Sequence, residues 1–110
     1  MTAATKSIDQ TRIFASMVAR KQDWRLNSDI SFLDSLIEGL TTNYNRYGYY
    51  LCPCRDSEGS RIEDAKAICP CVWAREDIAN HGHCFCALYL SPAFAESGKD
   101  PVGIPDRRNE

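Results

Sequence analysis

The chain has 110 residues, 44% hydrophobic and 25% charged, with a formal net charge of −2. That length bounds one small domain with a modest core, which a metal or covalent staple would help considerably. The charge lacks the basic surplus of a nucleic-acid binder, and no apolar run approaches the roughly 20 residues of a membrane span.

The first 24 residues contain no uninterrupted apolar stretch of the kind a secretory signal carries. A cytoplasmic protein is expected, and in that compartment cysteine clusters bind metal or do redox chemistry more often than they form structural disulfides.

In chain order, the pattern predicts a helix over 7–22. Ser7 and Gln10 form a capping box at its start. Ile13, Phe14, Met17 and Val18 supply its apolar face. A second helix is predicted over 29–44, capped by Asn27 or Ser28. Its apolar residues Ile30, Leu33, Leu36, Ile37, Leu40 and Tyr44 recur at three- and four-residue steps, and Asn45 to Gly48 break it. The stretch "YGYYLCPCRDSEGS" reads as extended, then turning at Gly59. A short helix over Arg61–Ile68 ends where Pro70 disfavours a helical Cys69. Another covers Val72–Asn80, with Gly82 available as its C-terminal cap. "CFCALYL" fits a short strand or a turn of helix equally well. The tail 91–110, rich in Pro, Gly and charge, is expected to wrap the surface or hang loose. The expected architecture is a mainly α, small single domain spanning 1–110. It has a helical front half (about 7–44), a chemically active segment (about 50–90) and a tail.

All six cysteines fall in that middle segment, as "CPC" at 52–54, "CPC" at 69–71 and "CFC" at 84–86. Three readings are open. A disulfide framework requires each unit to pair with another, since residues two apart do not readily bridge each other. The expected compartment and the cysteine-free front half weigh against it. A zinc site takes four N or S donors; C-x-C is a poorer knuckle than the usual C-x2–4-C, and two cysteines plus His81 and His83 would be left over. An iron–sulfur cluster also takes four thiolates, more widely spread than the ligands of one ion. It leaves two cysteines that can form a disulfide beside the cluster, and so accounts for the surplus.

"CPCR" at 52–55, "CPCVW" at 69–73 and "CFCALYL" at 84–90 resemble the catalytic (beta) chain of the ferredoxin–thioredoxin reductase family. They look closest to its archaeal and anaerobe-type ferredoxin–disulfide reductases. The resemblance spans roughly Asn43 to Leu90, with weaker support from the front helices and from "IPDRR" at 104–108. It implies an oxidoreductase folded around a [4Fe-4S] cluster, with Cys52, Cys69, Cys71 and Cys84 as ligands. It further implies that Cys54 and Cys86 form the active-site disulfide, Cys54 being the exposed nucleophile and Cys86 the shielded partner beside the cluster. The implied partners are a ferredoxin-like electron donor and a thioredoxin or glutaredoxin-like protein as disulfide substrate. Plant-type relatives add a variable subunit. Neither nucleic acid nor membrane is expected as a partner. The competing functions are an iron–sulfur electron carrier without disulfide chemistry and a zinc-stapled interaction module.

Two departures stand out. The gaps between units are 14 and 12 residues, against a longer first and shorter second gap in the plant-type pattern; loop closure tolerates such changes. Phe85 also occupies the place of the family histidine that assists proton transfer, and cannot carry a proton. His83 is the preferred substitute, with His81 second. Arg55 is positioned in sequence to lower the Cys54 pKa. Pro53 and Pro70 fix φ and remove amides that would otherwise bond to sulfur. Trp73, Tyr47, Tyr49 and Tyr50 are expected to pack around the cysteines and exclude water.

Overall fold

In the computed structural model, residues 5–53, 57 and 59–103 are described. The first helix, α1 (Ile8–Gln22), starts as its sequence dictates. Ser7 accepts from the Gln10 amide and the Gln10 side chain reaches back to the Ser7 amide, closing the capping box. Asp23, in the left-handed region at φ 60°, ends the helix. The buried face differs from the one expected. Ile13 and Met17 are each 60% exposed, while Thr11, Ala15 and Ala19 are buried. These three recur at four-residue steps, and their small side chains let α1 lie close on its neighbour. Phe14 and Val18 are half-buried at the edge of that contact.

The neighbour, α2 (Ile30–Tyr47), is capped by Asp29, which accepts from the Phe32 amide. Neither Asn27 nor Ser28 is the cap. The Asn27 carboxamide instead accepts from the Asp29 amide and donates to the Ala87 carbonyl, at 3.0 Å. Asn45 and Arg46 continue the helix, which ends at Gly48, where φ is 87°. Leu33, Leu36, Ile37 and Leu40 fill the core as expected, but Ile30 is exposed. Arg12 pairs with Asp34 across the two helices. A buried hydroxyl chain crosses the same interface: Thr41 donates to Thr11 at 2.7 Å, and Thr11 lies 3.1 Å from the Tyr50 hydroxyl. Each buried hydroxyl thereby has a partner, as low-dielectric surroundings demand.

Beyond α2 the chain runs extended through Leu51 and Cys52. A short helix, α3 (Arg61–Asp64), continues as a 3-10 turn over Ala65–Ala67. Next come α4 (Ala74–His81) and, past the third cysteine unit, α5 (Pro92–Ser97). The last is a correction to the loose tail. Ser91 accepts from the Phe94 amide and Pro92 occupies the first turn, a sound helix start. "CFCALYL" resolves into a turn and then a strand. That strand, β2 (Tyr89–Leu90), pairs antiparallel with β1 (Arg25–Leu26), with Leu26 opposite Tyr89. The architecture is the mainly helical one expected. No helix among the described residues is long and apolar enough to cross a membrane.

Asp64 ties Ser57 and Tyr49 together. Its buried carboxylate accepts from the hydroxyls of Tyr49 and Ser57, the latter at 2.8 Å. The bond to Asp64 pushes the Tyr49 phenol above its ordinary pKa. Asp64→Ala leaves these hydroxyls without their acceptor, at about 2–4 kcal/mol for the pair. Urea unfolding is expected to show a correspondingly lower midpoint; a change under about 0.5 kcal/mol would place the tie outside the stability of the fold.

A candidate redox site lined by cysteines

Backbone pairing brings the first two cysteine units together. Leu51 and Ile68 face each other in an antiparallel bridge. On either side of it, the Cys52 amide donates to the Ala67 carbonyl at 2.9 Å, and the Cys69 amide to the Tyr50 carbonyl at 2.7 Å. Cys52 and Cys69 are thereby held on adjacent extended segments. Gly39 of α2 permits the close approach of the first unit, since a Cβ there would lie 2.9 Å from the Pro53 Cβ.

The third unit is shaped by a turn after Cys86. Ala87 has φ 62°, a left-handed conformation that costs an L-residue about 1–2 kcal/mol. Its amide donates to the Cys84 carbonyl at 2.9 Å, and Asn27 holds its carbonyl. The turn sets the Cys84 and Cys86 sulfurs 4.0 Å apart. It also brings the Tyr89 amide to the Cys84 sulfur at 3.4 Å, while the Cys84 amide donates to the Tyr89 carbonyl at 3.1 Å. The Tyr89 hydroxyl lies 3.5 Å from the Cys69 sulfur.

Cys52, Cys69, Cys71, Cys84 and Cys86 all line one apolar pocket, with Pro70, Ala74, Phe85 and Tyr89 between them. No disulfide joins any two of these five. Cys71 is half-buried; the other four are buried. Burial pushes the Cys69 thiol well above the ordinary cysteine range. The Cys84 thiol is drawn below that range, chiefly by its bond with Cys86 and against the penalty of burial. Among the described residues, no three His, Cys, Asp or Glu side chains are grouped as the ligands of a single metal ion.

The sixth cysteine, Cys54, and its neighbour Arg55 lie outside the described residues, as does "IPDRR". The histidines sit elsewhere than the pocket wall. His81 ends α4, exposed. His83 is 1% exposed and lies behind the Cys84 backbone. Its Nδ1 is 2.7 Å from the Cys84 carbonyl, which accepts the ring proton, and its ring meets Phe94 edge-on at 5.5 Å. Its Nε2 has no hydrogen-bond partner among the described residues. Of the aromatic residues, Tyr50 packs in the cysteine-containing core, stacked on Phe14 at 4.3 Å. Tyr47, Tyr49 and Trp73 form a second cluster that also reaches Cys71.

A family description, ferredoxin thioredoxin reductase catalytic beta chain, matches residues 1–104. The chain belongs to this family. A chloroplastic ferredoxin–thioredoxin reductase catalytic chain of Arabidopsis thaliana is 32% identical over 107 residues, covering 96% of this chain and 70% of that protein. The corresponding chain of Cyanidium caldarium is 34% identical over 104 residues, covering 93% and 90%. That of Zea mays, also chloroplastic, is 33% identical over 99 residues; these are 88% of this chain and 62% of the longer relative. The match identifies the chain as an oxidoreductase of the ferredoxin–thioredoxin reductase catalytic family and extends the sequence resemblance from the cysteine segment to nearly the whole chain.

Sequence reasoning missed the residues that shape this site without bearing its chemistry. Asn27 reads as a cap by propensity, as Ser28 does, and Ala87 carries no signal of its left-handed turn. In "ALYL", the phenol of Tyr89 among aliphatic residues is the clue that a buried polar partner exists.

Proposed function

We propose that this chain is an iron–sulfur disulfide reductase. In this reading Cys52, Cys69, Cys71 and Cys84 hold a [4Fe-4S] cluster, and Cys54 with Cys86 forms the redox-active disulfide. Electrons come from a ferredoxin-like donor and leave to the disulfide of thioredoxin or a glutaredoxin-like protein. The observation that carries the reading is the single apolar pocket lined by cysteines of all three units. Its donor set fits the group: among the described residues the pocket is lined by five cysteines and by no carboxylate or imidazole, and soft sulfur ligands are what iron–sulfur clusters take. When bound, the cluster supplies electrons one at a time beside a bond that needs two.

The chain's own residues supply the rest. Cys86 is 7% exposed, which suits it to resolve a mixed disulfide rather than to begin an attack on another protein. Cys54, two residues after Cys52 in the chain, is the attacking sulfur. As a thiolate it displaces one sulfur of the partner's disulfide, forming a mixed disulfide and releasing a partner thiolate. Cys86, as a thiolate, then attacks the Cys54 sulfur. This frees the second partner sulfur and restores the Cys54–Cys86 bond. Two electrons and two protons have moved to the partner. In this proposal His83 is a positioning residue: its Nδ1–H braces the Cys84 carbonyl and its ring packs on Phe94, and the protons come from water. Phe85, on the pocket wall, shields the sulfurs.

The proposal includes a second, variable subunit among the partners. It keeps the chain in a reducing, cytoplasm-type compartment, where ligand thiols stay reduced; the Arabidopsis and Zea mays relatives are named chloroplastic. Cys54→Ser tests the division of labour. The variant is expected to retain its iron, its sulfide and its broad visible absorption. It should lose reduction of a thioredoxin disulfide by reduced ferredoxin. A variant that still reduces thioredoxin would remove Cys54 from the attacking role; one that loses its iron would move Cys54 into the ligand set.

A further inference from the structure

We propose that Tyr89 tunes the reduction potential of the sulfur site, its hydroxyl donating to Cys69 and its backbone N–H to Cys84. The inference rests on the assignment of Cys69 and Cys84 as cluster ligands made above. Of the hydrogen bonds that reach the sulfurs of this pocket from outside the cysteines, these two, at 3.5 Å and 3.4 Å, come from one residue and reach two different units. In the thiol form either partner of the Cys69 contact has a proton to give. In the ligating form only Tyr89 has one, so the phenol must be the donor.

Several features hold the phenol to that task. Tyr89 is 1% exposed, so water does not compete for its hydroxyl. Its ring packs against Trp24, with centroids 5.3 Å apart, and its backbone is fixed opposite Leu26 in the β1–β2 pair. The reciprocal bond from the Cys84 amide to the Tyr89 carbonyl fixes the residue against the third unit as well.

The physical consequence has a sign. A proton donated to a ligand sulfur stabilises negative charge, and a cluster gains negative charge on reduction. Donated hydrogen bonds therefore raise the potential. The two CPC units work in the opposite sense, because Pro53 and Pro70 have no amide proton to give. Tyr89 thus supplies from a distant strand the donor that the second unit lacks in its own middle position.

The test compares wild type, Tyr89→Phe and 3-fluorotyrosine at position 89, each reconstituted anaerobically with iron and sulfide and titrated by spectroelectrochemistry. Phenylalanine keeps the buried ring and removes only the hydroxyl. Fluorine makes the phenol a stronger donor. With iron and sulfide content unchanged, the phenylalanine variant is expected to disfavour the one-electron reduced form by about tenfold, equivalent to roughly 59 mV downward. The fluorotyrosine protein is expected to move upward. A purely structural role gives no such opposed shifts. Equal potentials in all three proteins would overturn the inference and leave the cluster assignment intact. Loss of iron from the phenylalanine variant alone would make Tyr89 an anchor rather than a tuner, and overturns it too. A wild-type protein that takes up no iron and sulfide would overturn the cluster assignment together with this inference.

Discussion

Changing Cys69 to Ser is expected to leave the protein colourless and inactive. Cys69 is buried, clamped through its amide to Tyr50 and contacted at sulfur by Tyr89. Burial pushes its thiol pKa above the ordinary cysteine range, and a metal bound at the sulfur favours the thiolate that ligation requires. A serine hydroxyl is a far harder, more weakly acidic ligand and does not replace it. Changes to groups that merely support metal ligands cost 10–100-fold in affinity, and removal of a ligand should exceed that. Iron analysis and visible absorption check the outcome. The contrast with Cys54→Ser matters most: both variants lose thioredoxin reduction, but only the Cys69 variant loses iron. Retention of iron in Cys69→Ser would remove Cys69 from the ligand set.

Gly82→Ala is the substitution expected to damage the fold most severely. Gly82 caps α4 at φ 87°, and a Cβ there would fall 2.3 Å from Phe94 Cδ2 and 2.9 Å from Phe94 Cβ. The left-handed conformation costs an alanine about 1–2 kcal/mol, and overpacking against the ring adds about 1–3. A total of roughly 2–5 kcal/mol is a large part of the 5–15 kcal/mol that holds a typical domain folded. Gly48 provides the control. It shares φ 87°, yet nothing lies within 4 Å of its absent Cβ, so Gly48→Ala incurs only the conformational part. Urea midpoints should therefore fall in the order wild type, Gly48→Ala, Gly82→Ala. Equal losses at the two glycines would mean that Phe94 moves aside freely. Because Phe94 also packs on His83, one residue before Cys84, the Gly82 variant should in addition hold iron less tightly.

What the sequence reveals, and what it hides, follows from the range of the interactions. The capping box of α1 and the Gly82 stop of α4 are local: donor and acceptor lie within four residues, and both are legible. The convergence of the three cysteine units was legible as chemistry, because six sulfurs in three tight pairs suit few sites. The buried side of α1 was not. Hydrophobicity favours Ile13 and Met17, but close helix packing selected Thr11, Ala15 and Ala19 for their size. The β1–β2 pair was illegible too, since two-residue strands carry no period and their partners lie more than sixty residues apart. Asn27 illustrates the same limit. Asn, Asp and Ser are interchangeable as caps by propensity, and only the distant Ala87 carbonyl explains why Asn27 turned away and Asp29 took the role. The helix of the tail was missed because the proline and glycine that suggested irregular chain are its first-turn residue and its cap.

The most direct test of the account is iron and acid-labile sulfide analysis of anaerobically reconstituted protein, with accessible thiols counted before and after reduction. The account predicts about four irons and four sulfides per chain, and about two thiols that appear only on reduction. Protein that binds zinc or no metal, or whose six cysteines all react before reduction, would contradict it.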